Sequence, residues 1–187
     1  MLIDIHAHAF PDALAPGAVR ALLRNAARNA DRFGTLRLHG DGSAGTLAER
    51  SRQAGLDISV MLSITTSPKP SHSINDFAAH INAQANGLRA AGSVHPLNPE
   101  WESELERAAE LGLRGIKMHP EYQGVDANSP EMIAVVRKAG ELGLWVLLHA
   151  GVDIGLPDPL RSGITHMQRL REGAPDTTLI QIGRAHV

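Results

Sequence analysis

The sequence predicts an α/β fold: a parallel sheet laid down as a partial (β/α)8 TIM barrel, with about five to six of the eight strands present. Three observations predict it. A helix-to-strand step recurs along the chain, helix starts fall in register with that step, and histidines stand at the C-terminal ends of the expected strands.

The first strand is the apolar run Leu2-Ile3-Asp4-Ile5-His6-Ala7-His8. A helix follows in which Arg20, Arg24 and Arg28 form a solvated row. The recurring step comes next: a helical segment closes on Gly-Leu and a short apolar run follows. It occurs at Gly55-Leu56 before Ile58 to Ser63, at Gly87-Leu88 before Ala90 to His95, at Gly112-Leu113 before Gly115 to His119, and at Gly143-Leu144 before Trp145 to His149. Successive glycines are 32, 25 and 31 residues apart. Glycine suits the left-handed position just past a helix C-terminus, and a strand covered on both faces reads as a continuous apolar run.

Helix starts agree with this register. Ser73 with Asp76 reads as a capping box, while Asn98-Pro99 and Ser129-Pro130 each place a cap residue before a proline at the first helical position. Ile74, Phe77, Ala78, Ile81, Ala85 and Leu88 fall at helical spacing and predict one buried stripe. Thr178 to Gln181 reads as a sixth strand.

An open doubly wound sheet is the competing arrangement, but no Gly-x-Gly-x-x-Gly turn follows the first strand. The histidines favour the barrel, where His6, His8, His95, His119 and His149 form one ring at the face that carries catalysis. Alternation then predicts that Trp145, Leu147 and His149 point inward with Lys117 and His119, while Ile116, Met118, Val146 and Leu148 pack against helices.

Composition sets the class of partner. The chain of 187 residues is 43% hydrophobic and 20% charged with a formal net charge of −2, which recommends neither nucleic acid nor membrane and points to a small-molecule substrate. No apolar run approaches the ~18 residues of a membrane span and no basic leader precedes the first strand, so a cytoplasmic location is expected. Self-association into a homo-oligomer stays open. Zero cysteines exclude disulfides, thiolate metal sites and a cysteine nucleophile, leaving His, Asp and Glu to hold any metal.

Chemistry enters at His6 and His8. On a strand, side chains two residues apart share a face about 6.6 Å apart along the chain, close enough for both imidazoles to reach one ion. Lys117 is costly inside a barrel unless paired, modified or at the wet rim. It is read first as a salt-bridge partner of Asp4 or Glu121 and second as a carbamate bridging two metals. Glu121, Tyr122 and Gln123 follow the fourth strand, and Asp153, Asp158 and Arg161 lie in the Gly/Pro-rich segment 150–163, a substrate wall or an ordinary surface loop. Asp4 is expected to serve as a hydrogen-bonding group below the metal. His39, His72, His80 and His166 are assigned no chemistry.

Ile3-Asp4-x-His6-x-His8 with Phe10-Pro11, then Gly115-Ile116-Lys117-Met118-His119-Pro120 and Leu148-His149-Ala150-Gly151, resembles the amidohydrolase superfamily, in particular the amidohydrolase-related branch that also contains metal-dependent decarboxylases. The resemblance runs from Met1 to about Gln181. It implies that His6, His8 and His149 bind a divalent metal, zinc or alternatively manganese, with His119 and Lys117 as catalytic candidates. It further implies a metal-dependent hydrolase of an amide, ester or lactone, with non-oxidative decarboxylation as the alternative. A metal-free, phosphate-binding lyase or isomerase using Lys117 as base or Schiff-base nucleophile is the rival from another class, and a non-catalytic binding module is a third.

Relatives continue after their sixth strand with an Ala-His-x-Gly-Gly stretch and later supply a metal-binding aspartate from strand eight. Here the chain runs Ile182-Gly183-Arg184-Ala185-His186-Val187, a hexapeptide also encoded by a widely used sequencing adapter. Residues 1–181 are therefore expected to be a truncated barrel domain and 182–187 a non-native tail, with His186 not equivalent to the strand-six histidine. A full barrel takes about 250 residues. On that reading the chain alone is expected to be inactive and either marginally folded or self-associating.

Overall fold

In the computed structural model, which describes residues 1–35, 38, 40–69 and 71–183, every paired strand runs parallel to its neighbour. The order is β1 (Ile3–Ala7), α1 (Ala15–Ala27), α2 (Ala30–Phe33), α3 (Ala44–Gln53), β2 (Ile58–Leu62), α4 (His72–Asn82), β3 (Leu88–Ala91), α5 (Trp101–Glu110), β4 (Gly115–Met118), α6 (Pro120–Gln123), α7 (Pro130–Glu141), β5 (Trp145–His149), α8 (Ile164–Gly173) and β6 (Leu179–Ile182). His39 and His186 lie outside the described residues.

Strands pair as β1-β2-β3 and β4-β5-β6, and Gly92 joins the two groups. Its N–H donates to the Gly115 carbonyl at 3.0 Å and its carbonyl accepts from the Lys117 N–H at 2.8 Å. A Cβ there would lie 2.7 Å from Asn75 Oδ1 and 2.8 Å from Leu113 Cδ1, so any larger residue would displace those side chains. The strands thus follow one another in chain order around a curved wall, a partial (β/α)8 barrel.

Three of the four Gly-Leu steps are helix exits as expected, with φ of 75° at Gly55, 78° at Gly112 and 72° at Gly143, while Gly87, also left-handed at 80°, lies past the end of α4 at Asn82 and turns the chain into β3. Ser129 caps α7, its side chain accepting from Met132 N–H, with Pro130 in the first turn. Two other expected starts are displaced. Helix α4 begins at His72, so Ser73 and Asp76 form no capping box. Buried Glu104 draws Ser71 instead, accepting from both its N–H and its hydroxyl. Asn98 uses its side chain to accept from Glu100 N–H in a turn, and α5 starts only at Trp101. The predicted α4 stripe also overran: Ala85 is exposed and Leu88 belongs to β3, since a helix-spaced residue in a strand obeys the strand.

The inward and outward faces divide as the alternation predicts. Ile116, Met118, Val146 and Leu148 join Met132, Val135 and Val136 of α7 in the layer between sheet and helices. Leu62, Ala91 and Leu147 form the barrel interior with Val60, Trp145, Ile180 and Ile182 packed against them. Arg20, Arg24 and Arg28 are exposed. Strand β6 includes Ile182, opposite His149, one residue past the expected boundary at Gln181. No helix among the described residues is long and apolar enough to cross a membrane.

Candidate metal centre

His6 and His8 meet at the mouth of the wall. Their Nε2 atoms lie 3.1 Å apart, with the rings edge-on at a centroid distance of 4.8 Å. His8 Nδ1 lies 2.9 Å from the Leu62 carbonyl. A carbonyl only accepts, so Nδ1 carries the proton and Nε2 is left with its lone pair toward His6, the tautomer a metal ligand needs. Asp4 Oδ1 accepts from the His6 N–H at 3.0 Å, so this carboxylate shapes the end of β1.

Strands β4 and β5 bring the other basic groups. His149 is buried and its Nε2 has no hydrogen-bond partner. Its ring stacks on His119 at 4.1 Å with an interplanar angle of 8°. Burial, reinforced chiefly by Lys117, brings His6 down to about 4, and burial with His119 does the same for His149. Lys117 bears on both rings, but the ligand atoms gathered within 4.8 Å of one another among the described residues are those of His119, His149 and Asp153, without His6 or His8. His8 is likewise lowered by burial.

Lys117 is fully buried and its Nζ has no hydrogen-bond partner. The expected salt bridge is absent among the described residues. Asp4 is occupied by the His6 amide. Glu121 Oε1 accepts from Ser162 Oγ at 2.6 Å and Arg161 N–H at 3.2 Å, while Oε2 lies 3.5 Å from His119 Nδ1. Burial lowers the Lys117 ammonium to about 8, against the pull of Asp153 and Glu121.

The loop after β5 supplies a group that the sequence left as wall or surface. Asp153 Oδ2 lies 3.5 Å from His119 Nε2, while its Oδ1 accepts from the Gly155 and Leu156 N–H groups. Burial alone would raise Asp153 and Glu121, but His119 beside both, together with Ser162 on Glu121, outweighs it and holds both carboxyls below their ordinary value. Tyr122 sits edge-on to His119 at 4.6 Å and is raised to about 12, mainly by burial and then by Asp153. Helix α2 and its N-cap residue brace the loop: Asn29 Nδ2 donates to the Gly155 carbonyl and Arg32 pairs with Asp158 at 3.2 Å.

His95 does not join the cluster. It lies four residues past β3, and its Nδ1 accepts from Leu97 N–H at 3.2 Å in a turn. Gln123, read only as part of a loop, clamps three segments: its Oε1 accepts from His119 N–H, and its Nε2 donates to the Thr65 and Val94 carbonyls. No periodicity announces such a residue; its one sequence signal is the short helix α6 that follows His119-Pro120.

A family model for amidohydrolases matches residues 3–182. The chain belongs to the amidohydrolase family. Its fold is similar to that of the apo IDCase of Metarhizium anisopliae, at 15% identity and a TM-score of 0.68 over 97% of this chain and 64% of that one. The 5-carboxyvanillate decarboxylase of Sphingomonas paucimobilis matches at 18% identity and a TM-score of 0.65, covering 96% of this chain and 66% of that one. A 5-carboxyvanillate decarboxylase of Novosphingobium aromaticivorans, complexed with manganese and 4-hydroxy-3-methoxy-5-nitrobenzoic acid, matches at 16% identity and a TM-score of 0.66, covering 97% and 64%. The amidohydrolase chain therefore spans about two thirds of the length of these structures. No curated protein matches it.

Proposed function

We propose that this amidohydrolase is the metal-bearing portion of a hydrolase that cleaves an amide, ester or lactone bond, with His6, His8 and His149 as ligands of a divalent ion. The observation that carries the reading is the His6–His8 pair, whose Nε2 atoms stand 3.1 Å apart with the His8 tautomer fixed by Leu62. Two ligands about 2.0–2.1 Å from an ion are roughly 2.8–3.0 Å apart in octahedral and roughly 3.3–3.4 Å apart in tetrahedral geometry, so the pair falls within the span of a coordination edge. The partnerless Nε2 of buried His149 supports it, because a buried polar atom left unpaired costs about 1–3 kcal/mol unless something binds it. Three neutral imidazoles suit zinc and leave its charge uncompensated; manganese is the alternative.

When bound, such an ion supplies a water acidic enough to attack at neutral pH. The chain's own residues do the rest. His6 and His149, held neutral by burial, offer lone pairs at any pH above about 4. Lys117 presents a partnerless ammonium from the barrel floor, where it faces charge developing on the substrate. His119, stacked on His149, borders the same space.

Non-oxidative decarboxylation is the second reading, and the buried unpaired cation of Lys117 favours it, since a substrate carboxylate would satisfy that group. The experiment that tests metal dependence is the metal content of purified protein, expected near one equivalent or more, against a His6→Ala/His8→Ala variant that loses an equivalent. Equal content in both would remove the reading. Lactone opening and CO2 release from aromatic acids, each assayed with and without chelator, separate the two reactions.

A further inference from the structure

We propose that Asn29 is a positioning residue of the mouth: its side chain grips the Gly155–Leu156 peptide, and that peptide holds the Asp153 carboxylate against His119. The inference goes beyond the reading above and needs no ion.

The chain carries more helix than it needs between β1 and β2. A parallel pair requires one crossover helix, and α3 is that helix, since Ala44, Leu47 and Ala48 pack with Met61 of β2. Helices α1 and α2 supply no residue to the three hydrophobic clusters among the described residues. What they reach instead is the segment after β5, 126 residues away in sequence, through Asn29 and Arg32.

Asn29 is the N-cap residue of α2, a place where an asparagine side chain ordinarily accepts from the free amides of its own helix. Here it makes no cap bond. Its Nδ2 donates back to the Asn25 carbonyl at 3.2 Å and across to the Gly155 carbonyl at 3.3 Å. The side chain thus serves a distant loop in place of its own helix.

The Gly155 carbonyl and the Leu156 N–H belong to one planar peptide unit. Its carbonyl takes the Asn29 bond on one side, and its N–H donates to Asp153 Oδ1 at 3.0 Å on the other, joined there by the Gly155 N–H at 2.8 Å. Hydrogen bonds linked through a peptide in this way polarise and strengthen one another. With Oδ1 so fixed, Oδ2 is left 3.5 Å from His119 Nε2. The packing agrees. A Cβ at Gly155 would lie 2.7 Å from the Tyr122 hydroxyl, 3.2 Å from Asp153 Oδ1 and 3.3 Å from Asn25 Cβ, so the glycine lets α1, α6 and the loop close on one point.

The test uses the full 187-residue chain, stripped with chelator, with nitrogen-labelled histidine followed by NMR at one fixed pH. Asn29→Asp is the decisive variant, because it keeps the shape, loses the donor and favours the α2 cap. A merely structural Asn29 would then leave the melting temperature level or raised and the His119 resonances unmoved. The positioning role predicts the same melting behaviour but a His119 Nε2 resonance displaced in the direction that Asp153→Asn displaces it, and a double variant that sits where Asp153→Asn alone sits. Subtilisin cleavage within 150–163 should rise roughly 2- to 12-fold, the span of one lost hydrogen bond. Ser43→Ala removes the α3 cap, far from the loop, and should move neither readout. If Asn29→Asp loses its fold, Asn29→Ala, which adds no charge, is read in the same way. A His119 Nε2 resonance unmoved by the Asn29 variants, unmoved by Asp153→Asn, or moved as far by Ser43→Ala overturns the role.

Discussion

Lys117 shows most plainly what one residue does to this molecule. Register could tell that it points inward with His119, because side-chain period alone decides that. Its lack of a counter-ion was not legible, since it depends on which hydroxyl and amide reach Glu121 first, a matter of loop contacts 40 and 41 residues away in sequence. The group is a cost that the fold carries. Its folded pKa of about 8 lies below the ordinary 10.5, so between these values the unfolded chain holds more protons and stability rises with pH; below about 8 the penalty is fully present. Lys117→Met, an apolar side chain of similar reach, is expected to stabilise the metal-free chain by about 1–3 kcal/mol at pH 7 and to abolish the stability gain between pH 8 and 10.5. Urea unfolding at several pH values measures both. Loss of stability in Lys117→Met would mean that Nζ has a partner.

At the scale of elements, strands were read better than helix starts, for a physical reason. A buried parallel strand is written in a continuous apolar run, and β5 spans Trp145–His149 as expected. A helix start is decided by competition for a few backbone amides, which distant groups can enter. Ser129 has no rival and caps α7, whereas buried Glu104 claims Ser71 and moves the α4 start ahead of Ser73. Ser129→Ala is therefore expected to cost about 1 kcal/mol and Ser73→Ala to fall within about 0.5 kcal/mol of no effect, both read from denaturant midpoints. Equal losses would return the cap to Ser73. The same competition explains why Gln123 was missed: its three backbone partners come from the ends of three different strand segments.

Over the whole molecule, the curvature of the sheet converts sequence distance into a site. His6 and His149 are 143 residues apart on β1 and β5, yet burial depresses both and Lys117 bears on both. The histidine pattern marked the strand ends; the stacking of His119 on His149 and the placing of Asp153 were not legible, because both depend on loop geometry after the strands. The outer face of β1 is open, with Ile3 42% and Ile5 46% exposed, so the wall's interior and its mouth, rather than that face, hold the described chemistry. Crystals of the chain grown with Zn2+ and measured at the zinc absorption edge test the central claim most directly. The account predicts an anomalous peak about 2.0–2.1 Å from His6 Nε2, His8 Nε2 and a His149 ring nitrogen. A peak elsewhere, or His6 and His8 bonded to each other with no peak between them at saturating zinc, would contradict it.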